Sequence, residues 1–468
     1  MRMLTNMFQV FSEVLKDEML VSKCINPPIK QVSFMEFLAT RKGIKLPPQP
    51  KEEIISIDAL KKELKVKDPV NSFLAVDQII SLLPHRILQK LQSSKRKDKI
   101  AIIETWAKKI KPAFDSLKSV TVKDLKPEDS VKQRILLIAP SQRQFNIVKG
   151  KWREWAWRKK TYDGKETPDE EGWLQDCANI CIALKGNGVR TTVAVDRNIM
   201  QKAKEVISEA EIVGVNIPEG MSKIGYPRDQ SVTWFDKPLI GNMALEIRKG
   251  EENVLNEIYW KLGCLPCGRF RWAPIGKFLV RAKMEGGNFF LLKSDEKTVL
   301  LTGVGVRGSN HATFKILADL MPEEVRLVGV PLSGYIRNWE TGAVHLDVVF
   351  GYIGEIKGCK LAIVDPSRMG FYAAFEYDRK KDAFNLVEFN KIAKELEITL
   401  EEPIIKNVSK ITVTNALNLG NGKLLVDRIN HSLNRSLEKL GADVIEVDIP
   451  QIEAGGGGPR CATRELYF

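Results

Sequence analysis

The sequence is poor in histidine and has no long apolar run. Only four of its 468 residues are histidine, which argues against a metal centre built from a histidine cluster. Apolar stretches such as 134–139 are far shorter than the ~20 residues that a membrane-spanning helix requires. At the N-terminus, residues 1–8 lack an apolar segment that ends in a small-residue cleavage site. We therefore expect a cytoplasmic protein with no metal site and no membrane partner.

Regular cysteine spacing is also missing. The seven cysteines are an odd number scattered along the chain, so we expect free thiols and not a disulfide framework. Cys264 and Cys267 have the spacing of a redox or zinc pair, but no second pair of ligands lies close by, and we predict buried thiols. Cys177 and Cys181 are four residues apart on a predicted helix, and we predict that both pack in the core.

The charge of the chain is strongly positive, at +13. Its basic residues are nevertheless spread among acidic ones, and short clusters such as 94–99 are typical of a solvated helix end. Because no nucleic-acid-binding motif accompanies the charge, we predict no nucleic-acid partner. An anionic small molecule such as a nucleotide would also be attracted by this charge.

The composition and length predict two globular domains, since apolar residues make up 44% and charged residues 28% of a chain longer than one average domain. In residues 1–128, helical spacing of apolar positions over 70–83 predicts a mainly helical domain, with a break at 46–50. In residues 129–468, short apolar strands alternate with helices, which predicts an α/β domain. The predicted strands are 135–138, 190–195, 212–215, 298–301, 326–330, 361–364, 410–414 and 443–447, and a helix is predicted over 173–184.

Four polar segments follow or separate these strands, where α/β proteins build their sites: 225–229, 284–288, 344–347 and 454–461. Taken singly, each is commonly structural, because Asp after Pro-Arg is usually a turn residue and Glu-Gly-Gly is often a hairpin. His345 and Asp347 would point to the same face of a strand, although a histidine beside a surface carboxylate has the same spacing.

Cys461 stands in a setting that a structural tail seldom needs. It follows four glycines, 455–458, then Pro459 and Arg460. Glycines permit positive φ and close backbone approach, and a neighbouring cation can stabilise a thiolate. We interpret this segment as a functional loop.

Together and in this order, the four segments resemble the guanidino-group-modifying superfamily, which contains arginine deiminases, agmatine deiminases and amidinotransferases. The sequence is most similar to arginine deiminases, over about residues 130 to 468. Pro-Arg-Asp229 resembles their aromatic-Thr-Arg-Asp element, Glu285-Gly-Gly their Glu-Gly-Gly-Asp, His345-Leu-Asp347 their His-Leu-Asp, and Gly-Pro-Arg-Cys461 the nucleophile loop. The resemblance implies a five-bladed α/β propeller of ββαβ-type units, with the active site along its axis.

The resemblance also implies roles for single residues. Arg248 and Arg307 match arginines that hold the α-carboxylate of the substrate, and Asn288 and Gly458 fall at substrate-binding positions. Residue chemistry points the same way, because a guanidinium group offers five donors and calls for carboxylate acceptors.

Asp229 and Asp347 fit that acceptor role. Cys461 would attack the guanidinium carbon, His345 would protonate the departing ammonia and then activate water, and Glu285 would orient His345 or share its proton. The product would be citrulline, and this reaction needs no cofactor.

The sequence departs from arginine deiminases in three ways. Asn288 replaces the Asp that normally follows Glu-Gly-Gly. The stretch between Ile138 and Asp229 is too short for the helical domain inserted there in those enzymes, and residues 1–128 are extra. This extra domain would cover the active site, mediate homo-oligomerisation or bind a second substrate.

Three alternatives to hydrolysis therefore stay open. One is a nucleotide-coupled arginine synthetase-like reaction that uses ATP or ADP with Mg, although the sequence has no Gly-x-x-x-x-Gly-Lys-Ser/Thr phosphate loop. Another is transfer of the amidino group from arginine to an amine. The third is a protein that binds arginine without catalysis.

Overall fold

The computed structural model describes residues 18–25, 27–33, 51–64, 66–145, 168–221, 223–245, 248–305, 307–332, 343–365, 373–401 and 413–468. Within these ranges, no helix combines the length and the low polarity that crossing a membrane requires. The α-helices are α1 (Glu18–Ile25), α2 (Ile57–Glu63), α3 (Pro69–Leu82), α4 (His85–Ser93), α5 (Arg96–Asp115), α6 (Gln142–Phe145), α7 (Glu170–Lys185), α8 (Met200–Val206), α9 (Pro227–Gln230), α10 (Glu251–Lys261), α11 (His311–Leu320), α12 (Phe389–Glu395), α13 (His431–Leu440) and α14 (Pro450–Ala454).

The β-strands form sheets of two to five strands. In chain order they are β1 (Lys30–Ser33), β2 (Lys51–Ser56), β3 (Arg134–Ala139), β4 (Arg190–Asp196), β5 (Glu211–Val215), β6 (Ser231–Val232), β7 (Leu239–Ile240), β8 (Trp272–Ile275), β9 (Phe278–Arg281), β10 (Phe289–Lys293), β11 (Thr298–Val304), β12 (Val325–Pro331), β13 (Phe350–Ile356), β14 (Cys359–Val364), β15 (Ala373–Asp378), β16 (Ala383–Glu388), β17 (Ile398–Glu401), β18 (Leu417–Gly420), β19 (Lys423–Asp427), β20 (Asp443–Val447) and β21 (Arg464–Glu465).

Three stretches of the chain fold into the same ββαβ unit. In each, two antiparallel strands are followed by a helix and by a third strand that runs parallel to the second: β10–β11–α11–β12, β13–β14–α12–β17 and β18–β19–α13–β20. A parallel connection needs a long crossover, which the helix supplies. The repeated unit makes this part of the chain an α/β fold, as the sequence predicted.

A fourth sheet brings distant parts of the chain together. Strand β3 pairs in parallel with β4 after the crossover helix α7, and β4 pairs in parallel with β5 after α8. On its other side, β3 pairs antiparallel with β21, with Arg464 opposite Leu136. The segment that follows Cys461 therefore lies against the first strand of the α/β region.

The N-terminal residues are mostly helical where described, but they also contribute β1 and β2. These strands join β8 and β9 in one antiparallel sheet, in which Ile54 lies opposite Val280. Apolar residues of α3, such as Phe73, belong to the same buried core as Leu255 of α10 and Leu466. The packing is continuous across residue 128, and the proposed domain boundary there stays a prediction.

Several sequence predictions can be compared with the elements directly. Helix α3 spans 69–82 against a predicted 70–83, and it begins where the Asp68 side chain accepts a hydrogen bond from Asn71 N at 3.2 Å. Each predicted strand except 410–414 lies within β3, β4, β5, β11, β12, β14 or β20. Residues 410–412 and the break at 46–50 lie outside the described residues, while Val413 and Thr414 form a turn.

The cysteine predictions are confirmed. All seven thiols are free, and every cysteine except Cys359 is buried. Cys177 and Cys181 lie on the buried face of α7, and the Cys267 thiol donates a hydrogen bond to the carbonyl oxygen of Pro238 at 3.3 Å.

Candidate active site

Five segments that precede the first strand of a sheet or hairpin converge on one buried site. Asp229 lies before β6, Glu285 before β10, Asp347 before β13, Asn415 before β18 and Cys461 before β21. Three of these segments begin the repeated ββαβ units, so the repeated fold places one polar group from each of those units at the same place.

Cys461 lies in a tight turn after α14, and its side chain is almost fully buried. The turn depends on glycine at two positions. Gly456 has a φ of 89°, a left-handed conformation that L side chains rarely adopt. A Cβ on Gly457 would clash with the ring of Tyr226 and lie 3.0 Å from Cys461 Cβ. The glycines that made this loop conspicuous in the sequence therefore allow the backbone of the loop to pass close to the Cys461 side chain.

Asn415 forms hydrogen bonds with both the backbone and the side chain of Cys461. It was not identified from the sequence. Its Oδ1 accepts a hydrogen bond from Cys461 N at 2.9 Å, while its Nδ2 donates to Cys461 Sγ at 3.1 Å and to the carbonyl oxygen of Asp347 at 3.3 Å. No motif marks Asn415, so only its place just before a short apolar strand could have drawn attention to it.

The environment of Cys461 favours the neutral thiol. Burial raises the pKa of this thiol well above its usual range, and the negative charges of Asp347 and Asp229 raise it further. The backbone of Gly458 and the amide of Asn415 act in the opposite direction. The Sγ atom lies 3.6 Å from Asp347 Oδ2. A cation placed between the thiol and these carboxylates would favour ionisation.

The two aspartates differ in their charge environment. Burial would raise the pKa of Asp229, but the charges of His345, Arg248 and Arg307 outweigh it and hold that pKa below its usual value. Burial raises the pKa of Asp347, although Arg460 opposes it through a contact of 3.1 Å between Nη1 and Oδ2.

Each aspartate also keeps one oxygen available. Asp229 Oδ1 and Asp347 Oδ1 are buried and have no hydrogen-bond partner among the described residues. Buried acceptors without a partner are unfavourable, so these two atoms are suited to a ligand that brings hydrogen-bond donors.

His345 and Glu285 form a close pair. His345 Nε2 lies 2.6 Å from Glu285 Oε2, and His345 Nδ1 lies 3.4 Å from Asp229 Oδ1. Burial would raise the pKa of Glu285, but Arg307 and His345 dominate and lower it well below its usual range. Glu285 Oε1 also accepts from Ala244 N at 2.8 Å, which fixes the carboxylate.

The prediction that His345 and Asp347 lie on a strand is wrong. His345 is extended, with φ −127° and ψ 156°, and it caps a short 3₁₀ helix, Leu346–Val348, that contains Asp347. The side chains still meet, because they surround Gly287. A Cβ at Gly287 would lie 2.9 Å from both Asp229 Oδ1 and His345 Nδ1, and 3.0 Å from Asp347 Oδ2.

Arg248 and Arg307 both face the carboxylates of the site. Arg248 pairs with Asp229 through Nη1 and with Glu251 through Nε at 2.9 Å and Nη2 at 2.7 Å. Arg307 Nη2 lies 2.6 Å from Glu285 Oε2 and 3.7 Å from Asp229 Oδ2. Both guanidinium groups therefore pair with the protein's own carboxylates, and Arg248 Nη2 also donates to the carbonyl oxygen of Lys223 at 3.3 Å.

The two remaining predicted binding positions contact the protein backbone and the thiol. Asn288 donates to the carbonyl oxygen of Arg307 and accepts from Leu346 N, both at 3.2 Å, so its amide links two loops of the site. The backbone of Gly458 faces the Cys461 thiol and accepts from Ala462 N at 3.0 Å.

A metal ion is the other kind of ligand to consider for this arrangement of side chains. One ligand atom each from Asp229, Glu285 and His345 lies within 4.8 Å of the others. However, Arg248 and Arg307 already pair with the two carboxylates. The contacts observed are those of a hydrogen-bonded network of carboxylates, imidazole and guanidinium groups.

Several known proteins are similar in sequence to this chain. The chain is 24% identical to the uncharacterized protein YkgA of Bacillus subtilis (strain 168), over 55% of this chain and 74% of that protein. It is 24% identical to an arginine deiminase of Staphylococcus haemolyticus (strain JCSC1435), over 42% of this chain and 52% of that enzyme. The chain thus spans about half the length of the arginine deiminase that it matches.

Among solved structures, SxtG, an amidinotransferase from Microseira wollei, superposes with a TM-score of 0.47 at 13% identity, covering 73% of this chain and 95% of that one. DDAH from Pseudomonas aeruginosa superposes with a TM-score of 0.44 at 16% identity, covering 72% of this chain and 99% of that one. The family model described as arginine deiminase matches residues 182–467, more than half of the chain. This protein is therefore a member of the arginine deiminase family, within the guanidino-group-modifying superfamily.

Proposed function

We propose that the protein hydrolyses arginine to citrulline and ammonia, with Cys461 as the nucleophile. The observation that carries this proposal is a buried thiol beside two buried carboxylate oxygens, Asp229 Oδ1 and Asp347 Oδ1, that accept no hydrogen bond from the described residues. A guanidinium group is permanently charged and offers five donors in one plane, which suits these acceptors. Membership of the arginine deiminase family supports the same class of substrate.

The substrate would help to generate its own nucleophile. In the free protein, burial and the charges of Asp347 and Asp229 keep the Cys461 thiol protonated. A bound guanidinium neutralises these charges and lowers the pKa of the thiol, so that ionisation follows binding. The donor from Asn415 to Sγ, at 3.1 Å, stabilises the thiolate.

The reaction then proceeds in two steps. The thiolate attacks the guanidinium carbon, a C–S bond forms, and His345 protonates the nitrogen that leaves as ammonia when its C–N bond breaks. Water attacks the resulting S-alkylthiouronium carbon after giving a proton to His345. The C–S bond breaks, the electron pair returns to sulfur, the hydroxyl proton of the collapsing adduct passes to the thiolate to restore the resting thiol, and citrulline is released.

Arg248 would exchange one partner for another during binding. In this structure its Nη1 pairs with Asp229 Oδ2, whereas Oδ1 of the same carboxylate is the proposed acceptor. The substrate guanidinium, bound at Oδ1, neutralises this carboxylate in place of Arg248, and the substrate's α-carboxylate supplies the negative charge that Arg248 loses. Arg307, which lies 3.7 Å from Asp229 Oδ2, would bind the same carboxylate. A bidentate guanidinium fork is well matched to this role.

We also infer that five units close into a propeller around this site. Support comes from the five convergent segments, each of which precedes the first strand of a different sheet or hairpin. The pairing of β21 with β3 supports closure, because it joins the nucleophile segment to the first strand of the α/β region.

Product analysis tests the reaction. The protein is incubated with arginine alone, with arginine plus ADP, phosphate and Mg²⁺, and with arginine plus glycine or lysine. We expect citrulline and ammonia from arginine alone. Citrulline that forms only with ADP and phosphate, together with ATP, would replace hydrolysis by the nucleotide-coupled reaction. Ornithine plus a new guanidino compound would replace it by amidino transfer.

Substitution of the nucleophile gives a second test. Cys461→Ala removes the sulfur that forms the covalent intermediate, so we expect turnover to fall by at least about a thousandfold while arginine still binds. Cys359→Ser is the matched control, because Cys359 is the exposed cysteine and lies outside the site. Turnover retained by Cys461→Ala would contradict the proposal, and arginine binding without turnover by the unaltered protein would favour a binding protein.

A further inference from the structure

Two adjacent glutamates of the N-terminal strand β2 are buried, at 7% exposure for Glu52 and 8% for Glu53. A buried carboxylate is unfavourable unless cations or donors surround it. Adjacent residues of a strand point to opposite faces, so one strand can reach two different loops. Both glutamates find their partners in the α/β region.

Glu53 contacts the loop that carries Arg248. Its Oε1 pairs with the ammonium group of Lys249, the next residue after Arg248. Its Oε2 lies 3.1 Å from Nη1 of Arg281, the residue after Val280, which lies opposite Ile54 in the pairing of β2 with β9. The buried Glu53 carboxylate therefore links Lys249, the neighbour of Arg248, to strand β9.

Glu52 contacts the segment that follows Arg307. Its Oε2 accepts a hydrogen bond from Asn310 Nδ2 at 3.0 Å, and its Oε1 lies 2.5 Å from Lys283 Nζ. Asn310 is the N-cap of α11 and stands three residues after Arg307. The second buried carboxylate therefore fixes the end of the loop that bears the other arginine.

We propose that strand β2 positions the two arginines at the carboxylate end of the substrate, and that Glu52 and Glu53 are positioning residues for binding. This inference rests on the proposed function, in which Arg248 and Arg307 bind the α-carboxylate. It gives the N-terminal region a part in substrate selection. The glutamates contact Lys249, Arg281, Lys283 and Asn310, to none of which the proposed function gives a part in the chemical step.

Agmatine, which is arginine without its carboxylate, separates this role from a general structural one. Binding is measured by calorimetry in the Cys461→Ala background, where no turnover interferes. We expect Glu53→Gln to weaken the binding of arginine by about tenfold, because a charged contact beside Arg248 is lost, and to leave the binding of agmatine unchanged. Lys249→Gln should give the same selective loss, and the double variant should lose little more than either single variant.

Glu63→Gln is the control, because Glu63 pairs with Lys23 in the same N-terminal region, away from the site. Equal weakening of arginine and agmatine, or no weakening of either, overturns the positioning role while leaving the proposed function in place. Failure of the Cys461→Ala protein to bind arginine overturns both. Circular dichroism identifies a variant that has not folded, and Lys249→Gln then supplies the measurement.

Discussion

Gly287 lies between the side chains of Asp229, His345 and Asp347. The methyl group that an alanine substitution adds there therefore tests the geometry of the site. In Gly287→Ala the new Cβ would lie 2.9 Å from Asp229 Oδ1 and from His345 Nδ1, both of which must move. We expect turnover to fall by about a hundredfold or more, because small displacements of reacting groups have large effects on rate.

Stability should change far less, by roughly 1–3 kcal/mol of unfolding free energy for local overpacking. Thermal unfolding and citrulline formation measure the two effects. Gly186→Ala is the control, because its Cβ would meet its nearest atom at an ordinary 3.5 Å. Full activity in Gly287→Ala would show that the space between the carboxylates and the imidazole is not the reaction site.

The raised pKa of Cys461 can be measured by alkylation in a Cys359→Ser background, which removes the exposed thiol. We expect the rate of reaction with iodoacetamide to keep rising at pH values above the ordinary cysteine pKa of about 8.5. In Asp347→Asn the midpoint should move to lower pH, because a negative charge that disfavours the thiolate is removed.

Asp236→Asn is the control for this shift, since Asp236 is an exposed partner of Lys126. A midpoint in the unaltered protein below that of an ordinary cysteine would contradict the neutral-thiol state. An Asp347→Asn profile identical to that of the control would rule out the influence of Asp347.

The sequence predicted which residues would meet, but not all of their contacts. The groups that carry a motif, such as Asp229, His345 and Cys461, could be named because their segments, taken together and in order, resemble those of arginine deiminases. Asn415 could not, because it contacts Cys461 through folding alone and no neighbouring residue marks it. The pairing of Arg248 with Asp229 could not be predicted from the sequence either, since it depends on which loops the fold brings together.

At the scale of elements, helix α7 positions the nucleophile segment through one buried carboxylate. Asp176 Oδ2 accepts hydrogen bonds from Gln451 N and Ile452 N, both at 2.8 Å, at the start of α14. Burial raises the pKa of Asp176 to about 8, although these two backbone donors oppose the shift. The helix that leads to Cys461 is therefore capped by a group that titrates near neutral pH.

The stability of the protein should depend on this group. Because its folded-state pKa lies above the unfolded value of about 3.9, its stabilising effect is full below pH 4 and is lost as the pH rises towards 8. We expect the unfolding free energy to fall by up to about 1.4 kcal/mol per pH unit across this window, relative to Asp176→Asn.

Urea unfolding at pH 5 and pH 8 measures this difference. Asp443→Asn serves as the control, because the Asp443 side chain is 58% exposed. The same pH dependence in Asp176→Asn and in the unaltered protein would mean that Asp176 is ionised throughout.

Seven strands of the α/β region were predicted from the sequence and those of the N-terminal region were not, for a physical reason. Strand β11 contains the apolar run 299–301 and is buried along almost its whole length, and such a run stands out in a sequence. Strand β2 instead places two adjacent glutamates in the interior, where partners far along the chain neutralise them. The local sequence pattern of β2 therefore does not indicate those partners.

At the scale of the whole molecule, the shared core predicts that the N-terminal region cannot be removed. Helix α3 packs its buried side chains against α10 and β8 of the α/β region, and β2 pairs with β9. A variant that lacks residues 1–128 would expose this apolar surface. We expect it to be aggregated or to lack a cooperative thermal transition, whereas the full chain should unfold in a single transition.

Circular dichroism during heating, with light scattering, measures this outcome. A shortened protein that melts cooperatively and is monodisperse would show that residues 129–468 form an autonomous domain, as the sequence boundary suggested. The shared core would then contribute stability without being required for folding.

The segment that contains the nucleophile also holds the two carboxylates. Arg460 contacts Asp347 at 3.1 Å, and the Arg464 side chain donates to the backbone carbonyls of Arg228 and Ser231, on either side of Asp229. Cysteine and acceptors are thus locked to one another by five consecutive residues. For protein engineering, this means that the reactive cysteine cannot be transferred to another scaffold by itself, because the whole segment would have to be transferred with it. A shift of this segment by one residue would misplace the cysteine and the two carboxylates together.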